Sequence, residues 1–245
     1  MERQEAAAQR IAERLRRALA RDAAGALAPL PFPLQPNLTP RRLPSLEPVD
    51  LNPPVEGTPR VAAVTALVVP PVALGACGPN GGGDVKVHPF DCQVLLIERA
   101  QSGVFGGQLA LPGGKAEPGE TPEETAAREL KEELGIDMDD PLQLIQRVGS
   151  LDPSYSSGTG YLIHVVVAVA PTVPHLLPDP TEVVTTVGVR LGTFDPRMSV
   201  ADVDGTHAGE RLRYAAFPAP GNRRVWGLTA RLLSELASRT CMSEP

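Results

Sequence analysis

The sequence predicts an α/β fold: an α/β/α sandwich with a mixed β-sheet, preceded by an N-terminal helix and a proline-rich extension. Three observations lead to it. A run of small and β-branched apolar residues at 61–69 is typical of a buried strand. A helix with start and stop signals lies between Thr121 and Gly135, and apolar strands and a closing helical stripe follow it. Strands, a helix, further strands and a final helix together predict one sheet between helical layers.

Length and composition narrow the class of protein. The 245 residues suffice for one sizeable core plus extensions, and a formal charge of −6 provides no general basic surface for nucleic acid. The three cysteines are scattered and odd in number, which favours a reducing compartment over a disulfide framework. No apolar run reaches the roughly 18 residues of a membrane span. We expect a soluble cytoplasmic protein without a membrane partner, with a mitochondrial or peroxisomal location left open.

The N-terminal region divides into a helix and an extended segment. Ile11, Leu15 and Leu19 share one stripe of residues 2–22, which predicts an amphipathic helix that packs on the domain or on a partner. Prolines every few residues between 29 and 59 favour extended chain that serves as a strap or linker. We therefore predict an extension over 1–58 and a folded domain over 59–240.

The remaining elements follow in order within the domain. The glycine-rich stretch 72–91 predicts an inserted loop, residues 93–99 a strand, and residues 103–111 a short strand that leads into a glycine loop. Later strands are predicted over 142–151, 161–170, 182–191 and 211–217, with a serine-rich turn at 154–160. A final helix is predicted over 224–237, with Trp226 packed against the sheet.

The central helix carries clustered carboxylates. Glu129, Glu132 and Glu133 are three and four residues apart, so their side chains leave one side of the helix and approach one another. In an isolated helix this would be a solvated acidic face. Here a glycine loop precedes it, Glu120 stands at the junction and Arg128 lies inside the cluster. Clustered carboxylates can bind hard cations such as Mg²⁺, so the pattern indicates a metal site.

The spacing of these residues resembles a known family motif. Gly114, Glu120, Arg128, Glu129, Leu130, Glu132, Glu133, Gly135 and Ile136 match the Nudix box, GX5EX7REUXEEXGU, over 23 residues. The chain is identified by this match as a member of the Nudix hydrolase family. The resemblance implies the Nudix-type sandwich and hydrolysis of a nucleoside diphosphate linked to a further group.

The resemblance also implies roles for individual residues. Glu129, Glu132, Glu133 and the Gly114 carbonyl would bind Mg²⁺ or Mn²⁺, and Glu120 would support the metal-bound waters. Arg128 would orient the carboxylates or, equally, cap the glycine loop. Glu182 is a candidate for the general base or an additional ligand, with a surface acid as the alternative.

Segments flanking the box resemble the coenzyme A diphosphatase branch of the family. They are GGQLALPGGK at 106–115, PRVAAVTALVVP at 59–70, the stretch at 151–171, PDPTEV at 178–183 and VWGLTARLL at 225–233. This resemblance implies cleavage of coenzyme A or acyl-coenzyme A to 3′,5′-ADP and 4′-phosphopantetheine or its acyl form. The substrate would contact Arg99, Gly113, Lys115 and Tyr161. The branch's second arginine is absent, and Phe105 takes the place of its histidine.

Three alternatives remain open at this stage. The substrate could instead be ADP-ribose, NADH or an oxidised nucleotide, and the box domain could sense a nucleotide without cleaving it. The chain could act as a monomer or a homodimer. His164 lies within an apolar strand, where a core histidine is commoner than a ligand.

Overall fold

The fold is taken from a computed structural model that describes residues 2–35, 38–49, 59–71, 87–101, 106–156, 160–198, 200–207 and 209–241. The helices are α1 (Glu2–Ala18), α2 (Pro122–Leu134) and α3 (Gly227–Thr240). The strands are β1 (Arg41–Arg42), β2 (Arg60–Val69), β3 (Gln93–Arg99), β4 (Leu109–Ala110), β5 (Gly113–Lys115), β6 (Gln146–Ser150), β7 (Ser154–Ser156), β8 (Tyr161–Val169), β9 (Val183–Arg190), β10 (Asp202–His207), β11 (Glu210–Ala219) and β12 (Arg223–Trp226).

The main sheet is mixed and lies between helices. Its strands follow the order β4-β3-β2-β8-β6, with β5 paired to β2, β7 to β8 and β9 to β3. β2 and β8 are parallel, and the other pairs are antiparallel. Alternate residues of β3 pack against α2 on one face, as Ile97 does, and against α1 and α3 on the other, as Leu96 does. The predicted α/β sandwich is therefore confirmed.

A second, four-stranded sheet was not predicted. β11 is its central strand, flanked by β1 and β10, and β12 pairs with the C-terminal half of β11. The final helix was expected from residue 224, but Arg223–Trp226 form β12 and α3 starts only at Gly227. Trp226 stacks on Tyr214 of β11, with ring centroids 4.6 Å apart. Val225 fits the helical spacing, so the prediction placed it in the helix, but it belongs to β12.

Two further predictions differ from the structure. Residues 154–156, expected to lie in a turn, form β7 because they pair with the start of β8. The strand expected from residue 142 starts at Gln146, and residues 141–144 form a turn. Residues 72–86 of the predicted inserted loop and residues 50–58 of the proline-rich segment lie outside the described residues, as does Phe105.

The N-terminal helix is part of the main core. Ile11 and Leu15 are fully buried and belong to the same apolar cluster as Val165 of β8 and Leu236 of α3. Burying such side chains stabilises a fold by about 1.5–3 kcal/mol each. No helix in the described part of the chain combines the length and the apolar character that crossing a membrane requires.

Candidate active site

Local interactions fix both ends of α2, as predicted. The Thr121 hydroxyl accepts a hydrogen bond from the Glu124 amide at 3.2 Å, and the Glu124 carboxylate accepts one from the Thr121 amide at 2.8 Å. Gly135 ends the helix in the left-handed conformation, with φ 68°. Leu130 and Leu134 are fully buried against the main sheet. Helix α2 therefore has a fixed rotation about its axis, which sets the direction of its carboxylates.

Two glycines of β5 allow the carboxylates of α2 to reach the backbone. Gly113 has φ 146° and pairs with Val64, where any side chain would overlap the backbone of β2. A Cβ atom on Gly114 would lie 2.5 to 2.6 Å from the carboxylate atoms of Glu129. The glycine pair thus provides space for Glu129 and an open approach for Glu133.

Glu133 is the most deeply buried acid of the group. Its side chain is 2 % exposed, and its Oε2 accepts a hydrogen bond from the Gly113 amide at 2.8 Å. Burial raises the pKa of Glu133 to about 7, although that hydrogen bond and the charge of Arg99 lower it, while Glu129 and Glu182 raise it. The Arg99 guanidinium lies 4.0 Å from Oε1. Arg99 therefore lies beside the buried carboxylate of Glu133, and its contact with substrate stays a prediction.

Arg128 organises the acidic residues of the box. Its Nε donates to Glu120 at 2.7 Å, and its Nη1 donates to Glu129 at 3.0 Å and to Glu132 at 2.9 Å. Its Nη2 donates to the Lys115 carbonyl at 2.9 Å. Arg128 thus orients carboxylates and caps the glycine loop at once, so the two roles left open by the sequence coexist.

The partners of Arg128 differ in environment. Burial raises the pKa of Glu129, opposed by its hydrogen bond and attraction to Arg128. Hydrogen bonds, first from Arg128 and then from the Glu117 amide, lower the pKa of Glu120 to about 2. Glu132 is 59 % exposed at the mouth of the site. The acids therefore range from Glu120, an anion bound by Arg128, to Glu133, a buried carboxylate that is readily protonated.

Glu182 approaches the group from the loop before β9. Its carbonyl accepts a hydrogen bond from the Ala100 amide at 2.8 Å, which ties the loop to the end of β3. The charge of Glu182 is among those that raise the pKa of Glu129 and Glu133, after the larger effect of burial. Glu182 thus lies within electrostatic reach of both α2 carboxylates.

Sequence reasoning missed Asp179, on the same loop. Its amide donates to the Glu133 carbonyl at 3.0 Å, so the loop is joined to α2 at the buried acid itself. The Asp-Pro-Thr sequence at 179–181, which favours a turn, was the available signal.

Two other residues that the sequence singled out, Tyr161 and His164, belong to β8. The Tyr161 ring lies under the Arg60 guanidinium at 4.3 Å. Because alternate residues share a face, Tyr161 lies on the face of Val165, opposite to α2. His164 is partly buried, and this burial lowers its pKa below the usual value, while the charge of Glu123 opposes the shift.

The carboxylate and carbonyl oxygens of this site are chemically suited to bind a divalent cation. Among the described residues, no three His, Cys, Asp or Glu side chains converge on one point as placed, and Arg128 binds Glu129 and Glu132. Nevertheless, Glu129 and Glu133 carry pKa values raised by burial beside the backbone of Gly114. Carboxylate and carbonyl oxygens are the ligands that Mg²⁺ and Mn²⁺ prefer. A cation there would offset the cost of bringing these anions together.

A family comparison accounts for this arrangement. Residues 84–202 match the model of the NUDIX domain, and this range includes every acid described above. This similarity to the NUDIX domain covers just under half of the chain. The matched range extends from before β3 to the start of β10. Nudix hydrolases generally use a divalent metal such as Mg²⁺ or Mn²⁺.

Curated relatives match this domain over part of their length. Nudix hydrolase 15, mitochondrial, of Arabidopsis thaliana is 30% identical over 168 residues, which are 63% of this chain and 55% of that protein. An 8-oxo-dGTP diphosphatase of Haemophilus influenzae is 48% identical over 44 residues, 18% of this chain and 32% of its own length. An ADP-ribose pyrophosphatase of Methanocaldococcus jannaschii is 48% identical over 67 residues, 27% of this chain and 34% of its own length. The chain thus spans between a third and about half of these relatives.

Solved structures of similar proteins include a MutT/nudix family protein from Enterococcus faecalis. It is 16% identical, with a TM-score of 0.45, over 77% of this chain and 64% of that one. A Nudix hydrolase from M. Smegmatis is 25% identical, with a TM-score of 0.39, over 54% of this chain and 71% of that one.

Proposed function

We propose that the chain is a metal-dependent diphosphatase of nucleoside diphosphate derivatives, with coenzyme A or acyl-coenzyme A as its substrate. The observation that carries the proposal is a pair of carboxylates on one helix, the buried Glu133 and the partly buried Glu129, both against the Gly113–Gly114 backbone. Such a pair costs stability unless a cation joins it. An arrangement that lowers the stability of the protein when its cation is absent is typical of a functional site.

The chain's residues would divide the work between metal binding and positioning. Glu129, Glu132, Glu133 and the Gly114 carbonyl would bind Mg²⁺ or Mn²⁺. When bound, such ions neutralise charge on the diphosphate and lower the pKa of water. Arg128 fixes the directions of Glu129 and Glu132 through charge-assisted hydrogen bonds.

Two carboxylates are available as proton acceptors. Without a cation, burial raises the pKa of Glu133 to about 7; a bound cation would keep this carboxylate ionised beside the reacting water. Glu182 is exposed on the loop held against the end of β3 and would reach a water that solvent delivers. At this end of β3, Arg99 is 38 % exposed and would attract the phosphates of the substrate.

Coenzyme A is the favoured substrate because five flanking segments resemble the coenzyme A diphosphatase branch, and Arg99 corresponds to that branch's first arginine. The names of the relatives support a second candidate class, which comprises ADP-ribose and oxidised nucleoside triphosphates. The third candidate function is a domain that binds nucleotides without cleaving them, and metal-dependent turnover would exclude it.

The test is a substrate panel analysed by product. Coenzyme A, acyl-coenzyme A, NADH, ADP-ribose and 8-oxo-dGTP would each be incubated with Mg²⁺ and with Mn²⁺. We expect coenzyme A to yield 3′,5′-ADP and 4′-phosphopantetheine at the highest kcat/KM. A higher kcat/KM for ADP-ribose or 8-oxo-dGTP would reject the coenzyme A assignment and retain the diphosphatase.

A further inference from the structure

The loop between β8 and β9 is fixed to the active-site helix at two points. The Asp179 amide donates to the Glu133 carbonyl at 3.0 Å, and the Leu177 amide donates to the Leu134 carbonyl at 2.8 Å. Carbonyls at the C-terminal end of a helix have no partner within it. The loop therefore provides hydrogen-bond partners for the end of α2 and is bonded directly to the backbone of Glu133.

Asp179 also builds the turn that follows it. Its Oδ1 accepts hydrogen bonds from the Thr181 amide at 2.8 Å and the Thr181 hydroxyl at 2.7 Å. Its carbonyl accepts from the Glu182 amide at 3.1 Å and the Val183 amide at 2.8 Å. Pro180 has a fixed φ angle, so the turn has few alternative conformations. Asp179 thus fixes the turn on the side from which the chain enters Glu182.

The far side of the turn is fixed as well. The Glu182 carbonyl accepts from the Ala100 amide at 2.8 Å, and Val183 pairs with Arg99. Val183 is buried in the apolar cluster of α2. Glu182 is therefore an exposed side chain on a backbone held between α2 and β3.

We infer that Asp179 is a positioning residue, whose turn holds Glu182 opposite the carboxylates of α2. The role follows from the position of its contacts: Asp179 bonds the backbone of Glu133 on one side and of Glu182 on the other. The electrostatic effect of Glu182 on Glu129 and Glu133 agrees with this placement. The inference rests on the proposed function, because it assigns Glu182 a part in that reaction.

The test is a double-mutant cycle. Glu182→Gln should lower kcat by about 100-fold, within the usual range for a group that transfers protons. Asp179→Ala should lower kcat about 10-fold or more, while Asp179→Asn, which keeps the Oδ1 acceptor, should retain most of the activity. In the Glu182→Gln background, Asp179→Ala should cause little further loss, because its effect acts through Glu182.

A matched control separates positioning from a general loss of structure. Asp22 forms a similar exposed turn, in which its Oδ1 accepts from the Ala24 and Ala26 amides at 2.9 Å. Asp22→Ala should leave kcat unchanged. Additive losses in the cycle, equal losses with Asn and Ala at position 179, or wild-type kcat in Asp179→Ala would each overturn the inference.

A second readout is independent of turnover. Mn²⁺ binding by calorimetry should weaken several-fold in Asp179→Ala and Glu182→Gln, with no added effect in the double variant. If Mn²⁺ binding by the wild type and the variants follows this pattern but the wild type hydrolyses no compound of the substrate panel, the proposed function fails and the positioning role stands. If it hydrolyses coenzyme A but the cycle is additive in both readouts, only the positioning role fails. Should Asp179→Ala not fold, Thr181→Val, which removes one of the two bonds to Oδ1, takes its place in the cycle.

Discussion

Replacing Glu133 by Gln should stabilise the metal-free protein at alkaline pH and abolish its activity. In the folded chain this carboxylate is 2 % exposed, next to the Gly113 amide and the acids Glu129 and Glu182. Gln has the same shape and can still accept the Gly113 hydrogen bond, but it carries no charge to desolvate. The gain in stability therefore measures what the buried charge costs.

The magnitude follows from the pKa of Glu133, raised from 4.5 to about 7, mainly by burial. A raised pKa means that the folded state keeps its proton to higher pH than the unfolded state. Stability is therefore full below pH 4.5 and falls as the pH rises through about 7. At about 1.4 kcal/mol per pH unit, the loss above pH 7 is about 3 kcal/mol. Glu133→Gln should recover this amount at pH 8 and almost none at pH 4.

Urea denaturation and thermal denaturation in EDTA at pH 4, 6 and 8 provide the measurement. At pH 8 the melting temperature of the variant should exceed that of the wild type by roughly 6 to 12 °C, from about 2–4 °C per kcal/mol at this size. Glu132→Gln is the control, since its side chain is 59 % exposed and its loss should change stability by less than about 1 kcal/mol. A gain in Glu133→Gln that does not depend on pH, or no gain at pH 8, would refute the argument.

Three other substitutions test separate parts of the structure. Gly114→Ala should displace the Glu129 carboxylate, which the new Cβ would approach to 2.5 Å, and should lower Mn²⁺ affinity and kcat at least 10-fold without altering the circular dichroism spectrum. Thr121→Ala should cost about 1 kcal/mol in urea denaturation, since it removes the helix cap, and an unchanged midpoint would contradict the cap. Ile11→Ala should cost about 2–5 kcal/mol because the side chain is fully buried, and a cost below 0.5 kcal/mol would show that α1 is dispensable to the core.

The central helix could be predicted to the residue because its signals are local. Thr121, Glu124 and Gly135 determine where α2 starts and stops within a single stretch of sequence, and the structure shows the bonds that those residue types favour. The spacing of Glu129, Glu132 and Glu133 likewise predicted that all three leave one side of the helix. The sequence did not indicate their unequal burial, since that depends on how β5 lies against α2.

Non-local pairing explains the predictions that failed. Residues 154–156 contain turn-forming serines, yet they form β7 because residues 161–163 are positioned to pair with them. β12 was taken for the start of a helix because its pairing with β11 is not visible in its own composition. Tyr161, assigned to the substrate by resemblance, lies on the face of β8 opposite α2 by strand alternation, and its contact with substrate stays a prediction.

The most direct test of the central claim is the Mg²⁺ dependence of coenzyme A cleavage by the wild-type chain and by Glu133→Gln. The Glu123→Gln variant is a control on the same helix, since Glu123 is exposed and outside the carboxylate group. We predict formation of 3′,5′-ADP that requires Mg²⁺ or Mn²⁺, falls by orders of magnitude in Glu133→Gln and is unchanged in Glu123→Gln. Near-normal turnover by Glu133→Gln, or turnover by the wild type in EDTA, would contradict the assignment of the reaction to the carboxylates of α2.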